Sequence, residues 1–197
     1  MVLRWYRGVL ASRPILTQSV TTGLLMATGD IIAQQGFEKK GRNHDAVRTA
    51  RMTGYGAFIF GPAAANWYRF LNRYVVLGNK NTEIAARVVL DQGLFSPAAV
   101  GVFLGTMGVL EGRQDPGAHV QEHYWQVLKA NWMVWPAFQV VNFKFIPTEH
   151  RLSFANVVAI GWNCYLSYAN SHKKDEVKEG VKELVRKEAE MVKKHLK

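Results

Sequence analysis

Residues Gln92–Leu110 read QGLFSPAAVGVFLGTMGVL, nineteen residues without one Asp, Glu, Lys or Arg. A helix needs about 20 mostly apolar residues, with a working range of about 17–25, to cross the hydrocarbon core of a bilayer. This stretch meets that length by itself. Working outward, the same texture recurs at Leu152–His172, Met52–Tyr68 and Ala130–Phe143. It recurs again at Pro14–Gly29, which Ile31–Phe37 extends past the single carboxylate of Asp30. Lys129 and Lys144 bracket the short Ala130–Phe143 run and lengthen it by carrying their charged heads out to the lipid headgroups. Trp67-Tyr68 and Tyr124-Trp125 stand at run edges, where an interfacial aromatic belt would place them. A water-soluble bundle with long buried helices would show runs of the same kind, because short apolar stretches do not by themselves separate the two.

The chain has 197 residues, the length of one domain. Its 48% hydrophobic content excludes a disordered chain. One cysteine, Cys164, excludes an intrachain disulfide framework and any Cys-rich zinc or iron–sulfur site. Twenty-five basic residues against fifteen acidic ones give a formal charge of +10. Those charges flank the apolar runs and form no compact patch with interleaved aromatics. Anionic lipid headgroups therefore account for them more simply than direct contact with nucleic acid.

Residues 1–13 carry Arg4, Arg7 and Arg13, and no acid precedes Asp30. Leu3, Tyr6, Val9 and Leu10 share one helical face, so the start reads as an amphipathic helix with the composition of a mitochondrial targeting element. No small-residue cleavage site follows a short apolar core, which argues against a secretory signal. Connectors are expected at 38–51, at Arg69–Arg87, at Glu111–Lys129 and at Ile146-Pro147-Thr148, each with a turn-forming Gly, Asn or Pro. Successive basic connectors alternate sides, so charge does not choose an orientation. From Ser171 to Lys197 nine basic residues accompany six acidic ones. Val177, Val181, Val185, Ala189, Val192 and Leu196 form a narrow stripe there, the pattern of an amphipathic charged tail. Residues 1–170 are thus expected to be an integral membrane domain and 171–197 a charged helix.

Function is sought among the polar groups inside the apolar runs, because such groups normally face the protein interior or a water-filled path. Asp30 and Gln34 are four apart and share a face. Asp91 and Gln92 open the most apolar run, with Arg87 four residues earlier, able to neutralise Asp91 along the helix or to reach Asp30 across helices. Trp132, Trp135, Gln139 and Asn142 form one stripe, interrupted by Pro136, which removes a backbone donor. Asn156 and Asn163 stack on one face of the last run, with Ser167 beyond. Amides so placed either clamp helices together or line a lumen. Gly101-x-x-x-Gly105 and Gly108-x-x-x-Gly112 allow close helix approach.

His119-Val-Gln-Glu122-His123 spells an inverted zinc-protease motif, but no third ligand follows it convincingly, and an exposed polar helix start is the simpler reading. Cys164 has no base near it in sequence. No phosphate-binding loop, dinucleotide fingerprint or nucleophile elbow is present. The chain is expected not to be an enzyme and to use neither a metal nor a cofactor.

The quoted residues also carry a family resemblance. Trp132-x-x-Trp135-Pro136-x-x-Gln139-x-x-Asn142-Phe143, then Pro147, Arg151, Asn156 and Trp162-Asn163-x-x-Leu166-Ser167, resembles the C-terminal signature of the Mpv17/peroxisomal-membrane-protein family. Pro14 with Thr17, Gly29-Asp30-x-x-x-Gln34, Gly61-Pro62 with Trp67-Tyr68, and Asp91-Gln92 with Pro97 are similar to that family upstream. The likeness is strongest to its mitochondrial inner-membrane branch, with the fungal Sym-one proteins. It implies a small multi-pass protein with four transmembrane helices, against the five runs counted above. It further implies roles in channel formation, mitochondrial DNA maintenance, metabolite homeostasis and stress tolerance, and it carries no catalytic residues.

The combined expectation is an all-α transmembrane bundle of four or five membrane-embedded helices. It would form a channel or transport path for small, anionic metabolites in the mitochondrial inner membrane. Asp30, Gln34, Asp91, Gln92, Trp135, Gln139, Asn142, Asn156 and Asn163 would line or brace the path, and Arg87 and Lys144 would set its charge. Membrane lipids, a second copy or a larger membrane complex are the expected partners. A non-conducting membrane scaffold is the alternative.

Overall fold

A computed structural model describes residues 2–162, and every regular element among them is helical. Asn163, Cys164, Ser167 and the charged tail lie outside the described residues. Helix α1 is Val2–Ser12 and α2 is Pro14–Ile32, prolonged by a widened π turn over Ala33–Phe37. Helix α3, Ala46–Tyr55, runs through a π turn at Gly56–Phe60 into α4, Gly61–Tyr74. Helix α5, Lys80–Leu90, runs through a third π turn at Asp91–Phe95 into α6, Ser96–Leu110. Helix α7 spans Pro116–Phe145, and residues 151–162 are helical again, here α8.

Two of the π turns stand immediately before a proline, Pro62 or Pro97. A proline has no N–H to donate, and its ring clashes with the carbonyl four residues back. Widening the preceding turn removes that clash without ending the helix: Gly61 N–H donates to the Gly56 carbonyl, and Ser96 N–H to that of Asp91. Side chains cap three helix starts. Asp45 Oδ1 accepts from Arg48 N at 2.9 Å, Asn79 Oδ1 from Asn81 N at 2.8 Å, and Asp115 Oδ1 from Ala118 N at 2.9 Å. Gly112, at φ +68, ends α6, where Arg113 N–H reaches back to the Gly108 carbonyl at 3.1 Å.

The charge-free runs therefore understate the helices. Most of the connector expected at 38–51, Arg69–Arg87 and Glu111–Lys129 is helical, because a capping residue and not the end of an apolar run sets each start. The Ile146-Pro147-Thr148 break is found as expected. Lys80–Leu110, 31 residues long, is the helix among the described residues that is long and apolar enough to cross a membrane by length and composition.

Burial is inverted relative to a water-soluble fold. Helix α2 turns Thr17, Gln18, Ser19, Thr22, Asp30 and Gln34 inward and leaves Leu16, Val20, Leu24 and Ile31 outside. Phe58 and Met133 are 83% and 79% exposed, while Gln34 and Asn142 are 0% and 1% exposed. An apolar exterior of this extent is stable only against lipid or a partner. Tyr68 is another inversion: it is buried against Phe143, not placed in the expected interfacial belt.

The tightest packing lies where sequence spacing did not point. A Cβ on Gly61 would stand 2.6 Å from the Gly56 carbonyl oxygen and 2.8 Å from Ser19 Cα. A Cβ on Gly23 would stand 2.9 Å from Ala57 Cβ and 3.0 Å from the Thr53 oxygen. These contacts lock α2 against α3 and α4. On α6, a Cβ on Gly101 or Gly105 would meet Tyr124 or Val120 of α7 at ordinary contact distance, and one on Gly108 would stand 3.2 Å from Pro116 Cβ. Gly112 belongs to a turn and not to that interface. Gly61→Val should therefore destabilise the detergent-solubilised protein by about 2–3 kcal/mol, since backbone on both sides cannot yield. Gly54→Ala, at a helix position with open space around it, should stabilise it by about 0.5–1 kcal/mol. Thermal unfolding of the two variants checks both signs.

Candidate functional site

Asp91 sits in the π turn of the most apolar helix and is 2% exposed. Trp67 Nε1 of α4 donates to its Oδ1 at 2.9 Å. Gln92 Nε2, at 2.9 Å, and Gln139 Nε2 of α7, at 2.8 Å, donate to its Oδ2. The Gln139 amide also reaches Tyr68 Oη at 3.2 Å. Asn142 Nδ2 donates to Gln139 Oε1 at 2.9 Å and to Tyr68 Oη at 3.3 Å. Trp132 Nε1 donates to the Gln92 carbonyl at 2.9 Å. Three neutral N–H groups thus hold one carboxylate, and no salt bridge to Asp91 is found among the described residues. In the same region Gln92 Oε1 and Asn142 Oδ1 are buried acceptors without a hydrogen-bond partner among the described residues.

The second cluster closes the other end of α3–α4. Thr49, in its first turns, is nineteen residues from Tyr68, about 28 Å along a continuous helix, close to the thickness of a hydrocarbon core. There Arg48 Nε pairs with Asp30 Oδ1 at 2.7 Å and Arg48 Nη1 with Glu38 Oε1 at 2.8 Å, while Lys40 pairs with Glu38 at 3.1 Å. Gln34 Nε2 and Thr49 Oγ1 donate to Asp30 Oδ2 at 2.7 and 2.6 Å. His44 Nε2 lies 3.0 Å from Thr49 Oγ1. Between the two clusters, Asn156 Nδ2 of α8 donates to Thr22 Oγ1 of α2 at 2.8 Å.

The expected Asp30–Gln34 face, the Gln139–Asn142 stripe and the inward Asn156 are found. The structure corrects other expectations. Arg87 pairs with neither aspartate: its Nη2 bonds Glu83 Oε1 at 2.7 Å and the Val75 carbonyl at 3.0 Å. The next turn of its own helix widens at Asp91, and Trp67, Gln92 and Gln139 already occupy that carboxylate. Lys144 is exposed beside the Phe145 ring and sets no charge in the interior. Trp135 is half-buried and joins none of the hydrogen bonds of the Asp91 cluster among the described residues. Trp67, Tyr68, Thr22, Arg48 and Thr49 were missed. Trp67 and Tyr68 carried a signal, since they lie just beyond the Gly61-Pro62 pair that widens their helix. Thr22 and Thr49 carried none, because a threonine at a helical position gives no indication of what it meets.

An oily exterior around hydrogen-bonded amides and carboxylates is the construction of a membrane-embedded helical protein. The pattern of the Mpv17 / PMP22 family matches residues 108–167. Over 171 residues the chain is 54% identical to "Protein sym-1" of Neurospora crassa, covering 86% of this chain and 99% of that protein. It is 39% identical over 168 residues to "Mitochondrial inner membrane protein Mpv17" of Danio rerio, covering 84% and 94%. It is also 39% identical over 186 residues to "Protein SYM1" of Saccharomyces cerevisiae, covering 89% and 94%. No solved structure matches. The chain belongs to the Mpv17 / PMP22 family, and its place is the mitochondrial inner membrane.

Arg48→Gln leaves Asp30 buried without its cation and should cost about 1–3 kcal/mol, less than a fully enclosed pair because Arg48 is partly exposed. Adding Asp30→Asn should recover part of that loss in a double-mutant thermal-unfolding cycle. Asp45, outside the apolar runs, is held below its usual 3.8 chiefly by the backbone N–H of Arg48, with help from the charges of Lys40, Arg51 and Arg48. Its ionised form therefore stabilises the fold above about pH 3.8. That contribution is lost as the pH falls through the lowered native value. Asp45→Asn, which keeps an oxygen for the cap, should flatten this acid limb of the stability curve.

Proposed function

We propose that this chain conducts or transports small metabolites across the inner membrane and performs no covalent chemistry of its own. In this reading the helix α2, the α3–α4 and α5–α6 pairs, and α7 cross the bilayer, with α8 as a fifth embedded helix. The supporting observation is the ladder of polar groups inside an apolar exterior. Asp30 and Gln34 stand at one level, Thr22 and Asn156 at the next, and Asp91, Gln92, Gln139, Tyr68 and Asn142 at the third. A helix clamp needs one amide pair per interface, and cross-helix hydrogen bonds in membranes contribute only about 0.6–2 kcal/mol each. A buried carboxylate without a cation is too costly to serve as glue alone, and such a residue ordinarily marks a pathway. Roles in mitochondrial DNA maintenance and stress response would follow from solute balance across this membrane.

The alternative is a non-conducting scaffold in an inner-membrane complex, favoured by the rigid Asp30–Arg48–Glu38–Lys40 network. The pure full-length protein in planar bilayers should give discrete current steps, and vesicles containing it should pass small organic and inorganic anions. Gln139→Leu removes a donor from Asp91 and should reduce flux about tenfold, the effect of about 1.4 kcal/mol on a barrier. Silence of the wild-type protein at every voltage and thiol state, together with a partner that co-purifies stoichiometrically, would replace the channel with the scaffold.

A further inference from the structure

Two arginines are nine-tenths buried at the end of the bundle where α4 and α7 finish and where α5 and α8 begin. Arg87 is 5% and Arg151 6% exposed. Each holds the last carbonyls of a helix. Arg87 Nη2 reaches the Val75 carbonyl, and Arg151 Nε and Nη2 reach those of Ile146 and Phe143 at 3.1 and 3.3 Å. That capping role uses only part of either guanidinium. Arg87 Nε and Arg151 Nη1 are buried donors with no hydrogen-bond partner among the described residues. Ile84 and Val88, on either side of Arg87 in α5, pack in the same cluster as Phe143 of α7 and Leu152, the neighbour of Arg151 in α8. The carboxylate bonded to the pair is Glu83, at 2.7 Å from Arg87 Nη2. Glu149 faces solvent.

An orphaned guanidinium N–H is costly to bury, and two close together demand an acceptor with several lone pairs. A tetrahedral oxyanion supplies that, and arginine forks match it geometrically. The surroundings agree in sign. Arg73 closes α4, Lys80 opens α5 and Lys144 lies in the last turn of α7, all exposed on the same end. These outer cations would draw an anion toward the inner pair. Phe143, whose ring lies 5.3 Å from the Arg151 guanidinium, holds that side chain flat.

We propose that Arg87 and Arg151 form a binding site for one phosphate group, presented either by a phosphorylated or free phosphate solute or by a phospholipid headgroup. The site goes beyond the conduction reading, because a protein that passes no current can still bind there. It also assigns to Arg87 a role that neither aspartate explains.

The test uses the full-length protein in a phosphate-free, non-ionic detergent. Inorganic phosphate is titrated in one arm, followed by phosphorus NMR line broadening. Phosphatidic acid is titrated in the other, followed by native mass spectrometry against phosphatidylcholine. Saturable binding in the first arm identifies a solute site, and binding confined to the second identifies a headgroup site. Arg151→Gln should weaken that binding at least tenfold, and Arg87→Lys, which keeps the charge but loses the fork, several-fold. Glu83→Gln removes the competing carboxylate and should tighten it several-fold, an effect that a purely helix-capping role does not produce. Arg73→Gln with Lys80→Gln should leave the affinity within about twofold at high salt, where screening removes the outer charges. Absence of binding in both arms, or binding indifferent to Arg151→Gln and Glu83→Gln, overturns the proposal. If the arginine variants do not fold, the Glu83→Gln response decides alone: unchanged or weaker binding refutes the site.

Discussion

The carboxylate of Asp91 is the group around which the described bundle is arranged. It lies in the most apolar helix and cannot be left bare, because an unsolvated charge in such surroundings costs several kcal/mol. Its three donors come from α4, from its own widened turn and from α7. Meeting that single requirement fixes how three helices face one another. It also explains why Trp67 stacks against Phe95 and why Tyr68 points inward toward two amides. Removing any donor would leave the others to carry a charge they solvate only together.

The widened turns connect this requirement to the chain's prolines. A π turn shifts the register of the side chains that follow it by about one residue. Where Pro97 forces the turn, the displaced carbonyls and side chains belong to Asp91 and Gln92. Where Pro62 forces it, the residues carried round afterward include Trp67 and Tyr68, which turn to the same centre. Two prolines, placed in different helices, thereby aim donor and acceptor at each other. The glycines near them do complementary work: Gly23, Gly56 and Gly61 let α2 approach α3–α4 closely, and α2 also offers Thr22 to Asn156 of α8. Polar satisfaction and close packing are thus one arrangement and not two.

The two ends of the bundle differ in how their enclosed charges are paired. At the α3 start, Arg48 and Lys40 pair with Asp30 and Glu38, while Lys39, Arg42 and Arg51 add further positive charge. At the α5 start, two enclosed guanidiniums face one bonded carboxylate. The ladder of buried polar groups lies between these two ends. The asymmetry is set by side chains far apart in sequence, so it was absent from the loop charges, which alternate without net bias.

The chain's charge pattern marked out long apolar helices, and the structure showed that their oily faces lie outside, with Leu16, Val20, Phe58 and Met133 exposed around buried amides and carboxylates. The charge pattern also singled out Asp30, Gln34, Asp91, Gln139, Asn142 and Asn156, since a polar residue in an oily run has to be turned inward. Partners were decided only by tertiary structure. Four-residue spacing suggested that Arg87 would meet Asp91, yet the widened turn and the donors from other helices sent it to Glu83 and Val75 instead. Four-residue spacing likewise drew attention to Gly101 and Gly105, while the closest approach fell to Gly23 and Gly61. Periodicity specifies which side of a helix a residue occupies. What stands on that side depends on how neighbouring helices rotate and cross, and that is set by the sum of contacts over the whole bundle.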